Sequence, residues 1–273
     1  PTRRSSDLVE AADWFDQSKQ PVVISAEDGI QLHGWLFDPD CAGAKPHLYA
    51  ICCHGYSGQP QDMAKYAHRF ARLGFTVLVP ALRGHGLSEG RYAGMGWLDR
   101  RDLMRWISLI IGSDADARIL LQGKSMGAAA VMMTVGEPDL PRNVVAAVED
   151  CGYASVGQQF IDCARSMFHL PKFLAKPIVT TMGAIARRRA GYGFQEASCV
   201  EQLKHATIPM LFIHGGADDF VPSRALDENF DACASIDRQK LLIPSAGHSM
   251  SASTAPVVYW KTVTNFVTRV FGL

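Results

Sequence analysis

The chain has 273 residues, 48% of them hydrophobic and 20% charged, with 27 Lys and Arg balanced by 27 Asp and Glu. That composition suits an ordinary globular protein able to bury a large core without covalent staples. The zero formal charge excludes an overall field for nucleic acid or an anionic membrane, and no apolar run reaches the ~20 residues of a spanning helix.

Seven cysteines, several in apolar runs (Cys52, Cys53, Cys151), indicate buried thiols of a reducing compartment rather than a disulfide framework. A cytoplasmic location is therefore expected. No Cys-x-x-Cys or Cys/His spacing suggests zinc, and neither a metal nor a cofactor is expected. The chain starts Pro1-Thr2-Arg3-Arg4-Ser5-Ser6 without Met, which leaves room for a removed residue, anchor or signal.

In chain order, Pro21-Val22-Val23-Ile24-Ser25-Ala26 and Gln31-Leu32-His33-Gly34-Trp35-Leu36-Phe37 flank Glu27-Asp28-Gly29-Ile30. Asp-Gly between two extended runs predicts a hairpin. Further apolar runs follow at 47–53, 76–79, 118–122, 144–148, 209–214 and 240–243. They are apolar on both faces, as in strands covered on both sides, which points to a mainly parallel sheet. Helices are predicted between them at about 61–73, 98–111, 126–136, 223–234 and 254–270. The result is an α/β architecture: one domain over 1–273, with an eight-stranded, mostly parallel sheet flanked by helices.

One stretch, 151–207, breaks the alternation as a helical insertion punctuated by Pro171, Pro177 and Gly191-Tyr192-Gly193. It would sit over the C-terminal strand ends, where ligands bind in open α/β sheets, and it reads as a small lid or substrate wall. Arg187-Arg188-Arg189 within it reads as a solvated face rather than a receiver for an acidic substrate group.

The chemistry centres on Gly123-Lys124-Ser125-Met126-Gly127, which lies between an apolar run and the small-residue helix Ala128-Ala129-Ala130-Val131-Met132-Met133. Strand, sharp Gly-x-Ser-x-Gly turn and helix form the context of a nucleophile elbow. A serine hydroxyl needs a base, itself oriented by a carboxylate. In this architecture the chain order is Ser, then acid, then His. After Ser125 come His169, His205, His214 and His248. His248 is the expected base, because Pro244-Ser245-Ala246-Gly247-His248-Ser249 lies between the last strand and the last helix. Asp218 is the favoured acid, since it follows the strand before the histidine loop. Asp150 and Asp219 stand as alternatives.

The tetrahedral oxyanion needs two N–H donors. Met126 N–H, directly after the nucleophile, and Tyr56 N–H, in His54-Gly55-Tyr56-Ser57-Gly58, are expected to supply them. His54 is expected to brace that loop, and Arg83-Gly84-His85-Gly86-Leu87-Ser88 to shape the floor beside the elbow.

The ordered set His-Gly-Tyr-Ser-Gly, Arg-Gly-His-Gly-Leu-Ser, Gly-Lys-Ser-Met-Gly, His-Gly-Gly-Ala-Asp and Gly-His resembles the α/β-hydrolase superfamily over nearly the whole chain. Gly94-Met95-Gly96-Trp97, Asp150-Cys151-Gly152-Tyr153 and Phe220-Val221-Pro222 are similar to bacterial single-domain serine hydrolases. Those include esterases, relatives of the acylaminoacyl peptidase and prolyl oligopeptidase group, and cinnamoyl and feruloyl esterases. The resemblance implies the same roles for Ser125, Asp218, His248, Tyr56 and Met126. It departs at Ala81, where relatives often carry Asp, and many relatives start with a membrane-anchoring segment absent from this chain. The expectation is a serine hydrolase acting on small-molecule esters. An acylaminoacyl-type amidase or peptidase, or a non-catalytic binding protein on the same fold, are the alternatives.

Overall fold

A strand with apolar side chains on both faces has no side to offer solvent, so such strands pair edge to edge beneath helices on each face. The computed structural model describes residues 3–273; Pro1 and Thr2, part of the chain start considered above for processing, lie outside the described residues. The strands are β1 (Gln20–Ser25), β2 (Gln31–Phe37), β3 (Leu48–Cys53), β4 (Thr76–Pro80), β5 (Arg118–Lys124), β6 (Val144–Asp150), β7 (Met210–Gly215) and β8 (Arg238–Ile243). They form an eight-stranded sheet in the order β1-β2-β4-β3-β5-β6-β7-β8. β1 pairs antiparallel with β2, and β2 antiparallel with β4. The other pairs are parallel.

The period-2 alternation of a strand divides the core into two layers. In β5, Ile119 and Leu121 pack with Trp106 and Ile107 of α3 (Asp99–Ser113) and with Ala130 of α4 (Met126–Thr134). Leu120 points the other way. It joins Tyr66 and Phe70 of α2 (Ala64–Arg72) and Tyr259, Val263 and Phe266 of the last helix. The sheet order reverses direction between β3 and β5, and in open α/β sheets the ends of the strands flanking such a point form the ligand crevice.

Three differences from the sequence reading have local causes. Residues 61–73 begin as a 3-10 turn, Pro60–Met63, where Gln59 N–H donates to Asp62 Oδ2 at 2.8 Å. The helix expected at 254–270 is two helices, Ser251–Thr254 and Pro256–Phe271, because a residue before proline is steered out of helical backbone. An N-terminal helix, α1 (Arg3–Ser18), was not anticipated. Its Ala11 and Phe15 are buried against α2 and β2, with Trp14 stacked 4.7 Å from the Phe37 ring.

Residues 151–207 contain α5 (Val156–Phe168), α6 (Lys172–Ala190) and α7 (Cys199–Leu203). Pro171 and Gly191 bound α6 as expected of such residues, whereas Pro177 is absorbed within it.

Phe15 is 1% exposed, and its ring lies 4.6 Å from that of Phe37. Phe15→Ala is expected to lower the urea-unfolding free energy by about 3–5 kcal/mol, read from the transition midpoint. An unchanged midpoint would show that α1 contributes nothing to the core.

Candidate active site

Ser125 joins β5 to α4 with φ 55° and ψ −118°, a conformation that L-residues rarely adopt. The turn is held by Ser125 N–H donating to the Asp150 carbonyl at 2.8 Å and Ala129 N–H donating to the Ser125 carbonyl at 3.0 Å. Its glycines are there because backbone takes the space of a side chain. A Cβ on Gly127 would overlap the carbonyl oxygens of Cys53 and His54, and one on Gly123 would overlap the Gly127 carbonyl.

The structure brings Ser125, His248 and Asp218 together, though 93 and 30 residues separate them in the chain. The Ser125 hydroxyl donates to His248 Nε2 at 2.9 Å, and His248 Nδ1–H donates to Asp218 Oδ2 at 2.8 Å. Asp218 Oδ1 accepts from the N–H groups of Phe220 (3.0 Å) and Val221 (2.8 Å). The loop carrying His248 lies directly on the end of β7. Any Cβ on Gly215 would overlap the Ala246 carbonyl, and one on Gly216 would stand 2.7 Å from the Pro244 carbonyl. That is the physical reason for the paired glycines of His-Gly-Gly-Ala-Asp.

The two alternative acids are placed elsewhere. Asp150 is buried and accepts the Tyr259 hydroxyl at 2.9 Å, and Asp219 is exposed. Among the other histidines, His169 caps α5 at the surface and His205 is exposed.

The loop 54–58 stands beside the serine, since a Cβ on Gly55 would lie 3.7 Å from Ser125 Oγ. It is braced by two imidazoles. His54 Nδ1–H donates to the Gly55 carbonyl at 2.8 Å, while Leu82 N–H donates to His54 Nε2 at 3.0 Å. Ser57 N–H donates to His85 Nε2 at 3.2 Å, which ties in the Arg83-Gly84-His85 loop. That loop is in turn fixed by Arg83, bonded to both oxygens of Asp102 at 2.6 Å. The N–H groups of Tyr56 and Met126 have no backbone partner in the turns and loops of the described residues. Met126 N–H is also the first donor at the positive end of α4.

Burial alone would raise the Asp218 carboxyl. Hydrogen bonds from His214, His248 and the backbone outweigh it and hold the group well below the usual carboxylate range. His214, weighed as a base and set aside because it lies inside a strand end, has its Nε2 3.4 Å from Asp218 Oδ2 and 3.0 Å from the Val221 carbonyl, so it supports the acid instead. Its position four residues before Asp218 was the available signal. Burial would lower its pKa, but the Asp218 carboxylate and the Val221 carbonyl raise it.

Other buried groups at the site are driven neutral. Burial pulls His54 down to about 4, which matches its one-donor, one-acceptor bonding. Burial also pushes the Cys151 thiol up, aided by Asp150. Cys151 Sγ, an Asp218 oxygen and a His248 nitrogen lie within 4.8 Å of one another, the spacing of a possible metal-binding group. The thiol is held away from the thiolate such ligation needs, and Asp218 and His248 are already paired to each other. All seven cysteines are free.

Two buried carboxyls set a pH dependence. Burial raises Glu149 from 4.5 to about 8, and burial with the Asp102 charge raises Asp99 from 3.8 to about 7. Through these two groups the folded chain binds more protons than the unfolded chain between roughly pH 4 and 8, so their contribution to stability falls as pH rises through that window, opposed in part by His54 between about pH 4 and 6.5. Asp218, held low, acts in the opposite sense only below about pH 4. The thermal midpoint is expected to decline from about pH 5 to about pH 9, and Glu149→Gln to flatten that decline. Parallel curves for the two proteins would show that Glu149 does not carry the effect.

Comparison with known proteins places these features in context. Residues 44–182, just over half of the chain, match the model of a family described as "Serine aminopeptidase, S33". The chain is 26% identical over 267 residues to the uncharacterized protein YqkD of Bacillus subtilis (strain 168), covering 97% of this chain and 84% of that one. The fold is similar to that of the Pyrococcus furiosus esterase Pf2001, with a TM-score of 0.74 at 19% identity over 96% of this chain and 93% of the other. It is also similar to the Pyrococcus horikoshii acylaminoacyl peptidase, with a TM-score of 0.65 at 15% identity over 93% of this chain and 42% of that longer one.

Proposed function

We propose that this chain, which belongs to the serine aminopeptidase S33 family of the α/β-hydrolase superfamily, is a serine hydrolase that cleaves carboxylic esters of small to medium acyl groups through an acyl-enzyme. One observation carries the reading: the unbroken hydrogen-bond chain from Ser125 Oγ through His248 to Asp218, at 2.9 and 2.8 Å. In this reading His248 Nε2 takes the Ser125 proton as Oγ attacks the carbonyl, then returns it to the leaving alkoxide. Water, deprotonated by the same nitrogen, releases the acid. Asp218, kept ionised by its neighbours, holds Nδ1–H and stabilises the imidazolium while it exists. Tyr56 N–H and Met126 N–H receive the oxyanion, a contribution on the order of 10²–10³ in rate per donor. Residues 151–207 serve as the wall or lid of the substrate pocket within a single domain. No cofactor takes part in these steps.

The family's description supports a second reading, an amidase or peptidase of the acylaminoacyl type. Esters with matched amides separate the two, because the same acyl group then meets an alkoxide or an amine as leaving group. A chain-length series of p-nitrophenyl esters run beside methyl ferulate would define the acyl preference.

A fluorophosphonate probe is expected to label the purified protein once, and Ser125→Ala to abolish both labelling and turnover. Failure of the wild type to label would favour a non-catalytic binding protein on this fold. Asp218→Asn is expected to lower kcat on the order of 10⁴-fold, because the wrong imidazole tautomer is then held. Asp150→Asn, with its carboxyl turned to Tyr259, is expected to leave kcat within about threefold of wild type, a bound set by the ordinary scatter of non-contacting substitutions. A loss with Asp150→Asn equal to that with Asp218→Asn would contradict the assignment of the acid.

A further inference from the structure

The zero net charge of the chain conceals a strong local segregation. Residues 163–195 contain Arg165, Lys172, Lys176, Arg187, Arg188 and Arg189, and not one Asp or Glu. The remainder of the chain is correspondingly acidic. Among the described residues only Arg187 of this set has a carboxylate partner, Glu196 at 2.9 Å.

The same stretch exposes large apolar side chains. α6 buries Ala175, Val179 and Gly183 against the rest of the protein. It leaves Leu174, Ile178, Met182 and Ile185 exposed at i, i+4, i+8 and i+11, one stripe along a helix roughly 28 Å long. Phe173, 75% exposed, stands about 100° round the helix from Leu174, and Met167 and Phe168 (63% and 71%) are exposed at the end of α5 just before it. Isolated exposed apolar residues are ordinary, but a contiguous set of this size on a soluble face marks an interaction surface.

We propose that the α5–α6 hairpin is a docking surface for an anionic phospholipid bilayer, with α6 lying in the plane of the headgroups. An apolar stripe, Arg188 and Arg189 at its C-terminal end, and no carboxylate between residues 163 and 195 form the composition of an interfacial helix. No described helix is long and apolar enough to cross a membrane, so the contact is peripheral. Charge also argues against the obvious other occupant. A two-fold dimer through this face would set one six-cation surface against another.

The hairpin is coupled to the site. Gln159 of α5 donates from Nε2 to the Phe220 carbonyl at 2.9 Å, and Asp162 of α5 pairs with Arg224. The Phe220 ring stands 5.0 Å from that of His248. A bilayer-bound hairpin would therefore hold the site close to esters dissolved in the membrane.

Sedimentation of the full-length protein with vesicles tests this, comparing pure phosphatidylcholine with equal parts phosphatidylcholine and phosphatidylglycerol. Binding is expected to the mixed vesicles alone and to weaken with added salt. Phe173→Ser with Leu174→Ser is expected to weaken it at least about tenfold. Arg188→Glu and Arg189→Glu are each expected to weaken it about fivefold or more. All of these variants should keep wild-type circular dichroism and a wild-type thermal midpoint, which separates lost docking from lost folding. The binding readout is independent of catalysis, so it stands or falls apart from the hydrolase reading. Wild-type protein that stays in the supernatant with anionic vesicles at low salt would overturn the proposal, as would variants that bind like wild type. A stable dimer in light scattering that Phe173→Ser/Leu174→Ser dissolves would overturn it in favour of a second copy.

Discussion

The sheet edge depends on one backbone conformation that an L-residue ordinarily avoids: Ser125 at φ 55° and ψ −118°. It persists because its surroundings over-determine it. The turn is bonded to the end of β6 through the Asp150 carbonyl, continues into α4, and is pressed against the end of β3 at Cys53 and His54. That pressure is possible only without side chains at 123 and 127. One consequence is that the nucleophile candidate and the loop 54–58 are fixed relative to each other by the same contact. They meet where the strand order reverses, so the crevice and the chemistry coincide.

Around this turn the protein controls charge by environment rather than by residue type. Asp218 and Glu149 are both carboxyls at low-dielectric positions. Four hydrogen-bonding partners keep the first ionised, whereas burial with little compensation keeps the second protonated to about pH 8. His54 and His248 differ in the same way. One is sealed in the loop as a neutral brace with both nitrogens committed to backbone; the other keeps a nitrogen for a hydroxyl and a nitrogen for a carboxylate. His214 adds a second imidazole to Asp218, which makes the candidate acid the meeting point of two histidines, one at the end of β7 and one in the loop after β8.

The helical segment between β6 and β7 has a different physical logic. Its inner side is made of small residues that let α6 settle closely on its neighbours, and its outer side combines exposed apolar groups with unbalanced positive charge. A helix with such a face has more reason to be found against a second phase than in bulk water. α5 is tied to the loop that carries Asp218 through Gln159 and the Phe220 carbonyl.

The residues by themselves determined the strand count, the mostly parallel sheet, the elbow and the positions of Ser125, Asp218 and His248 after the ends of β5, β7 and β8. These features are local: two-faced apolar runs, an Asp-Gly hairpin, glycines at a turn, and the order of the strands that carry them. The tertiary structure decided what depends on direction in space. Asp150 lies one strand from the elbow, yet its carboxyl turns to Tyr259 on the opposite side of the sheet, while Asp218 turns toward His248. No spacing rule distinguishes the two. The docking of α1 rests on Phe15 meeting Phe37 and α2, and its period is too short and too polar to announce a buried face by itself. The three arginines at the end of α6 read in one dimension as a solvated run. Only the fold shows that five large apolar side chains are left uncovered on the same helix.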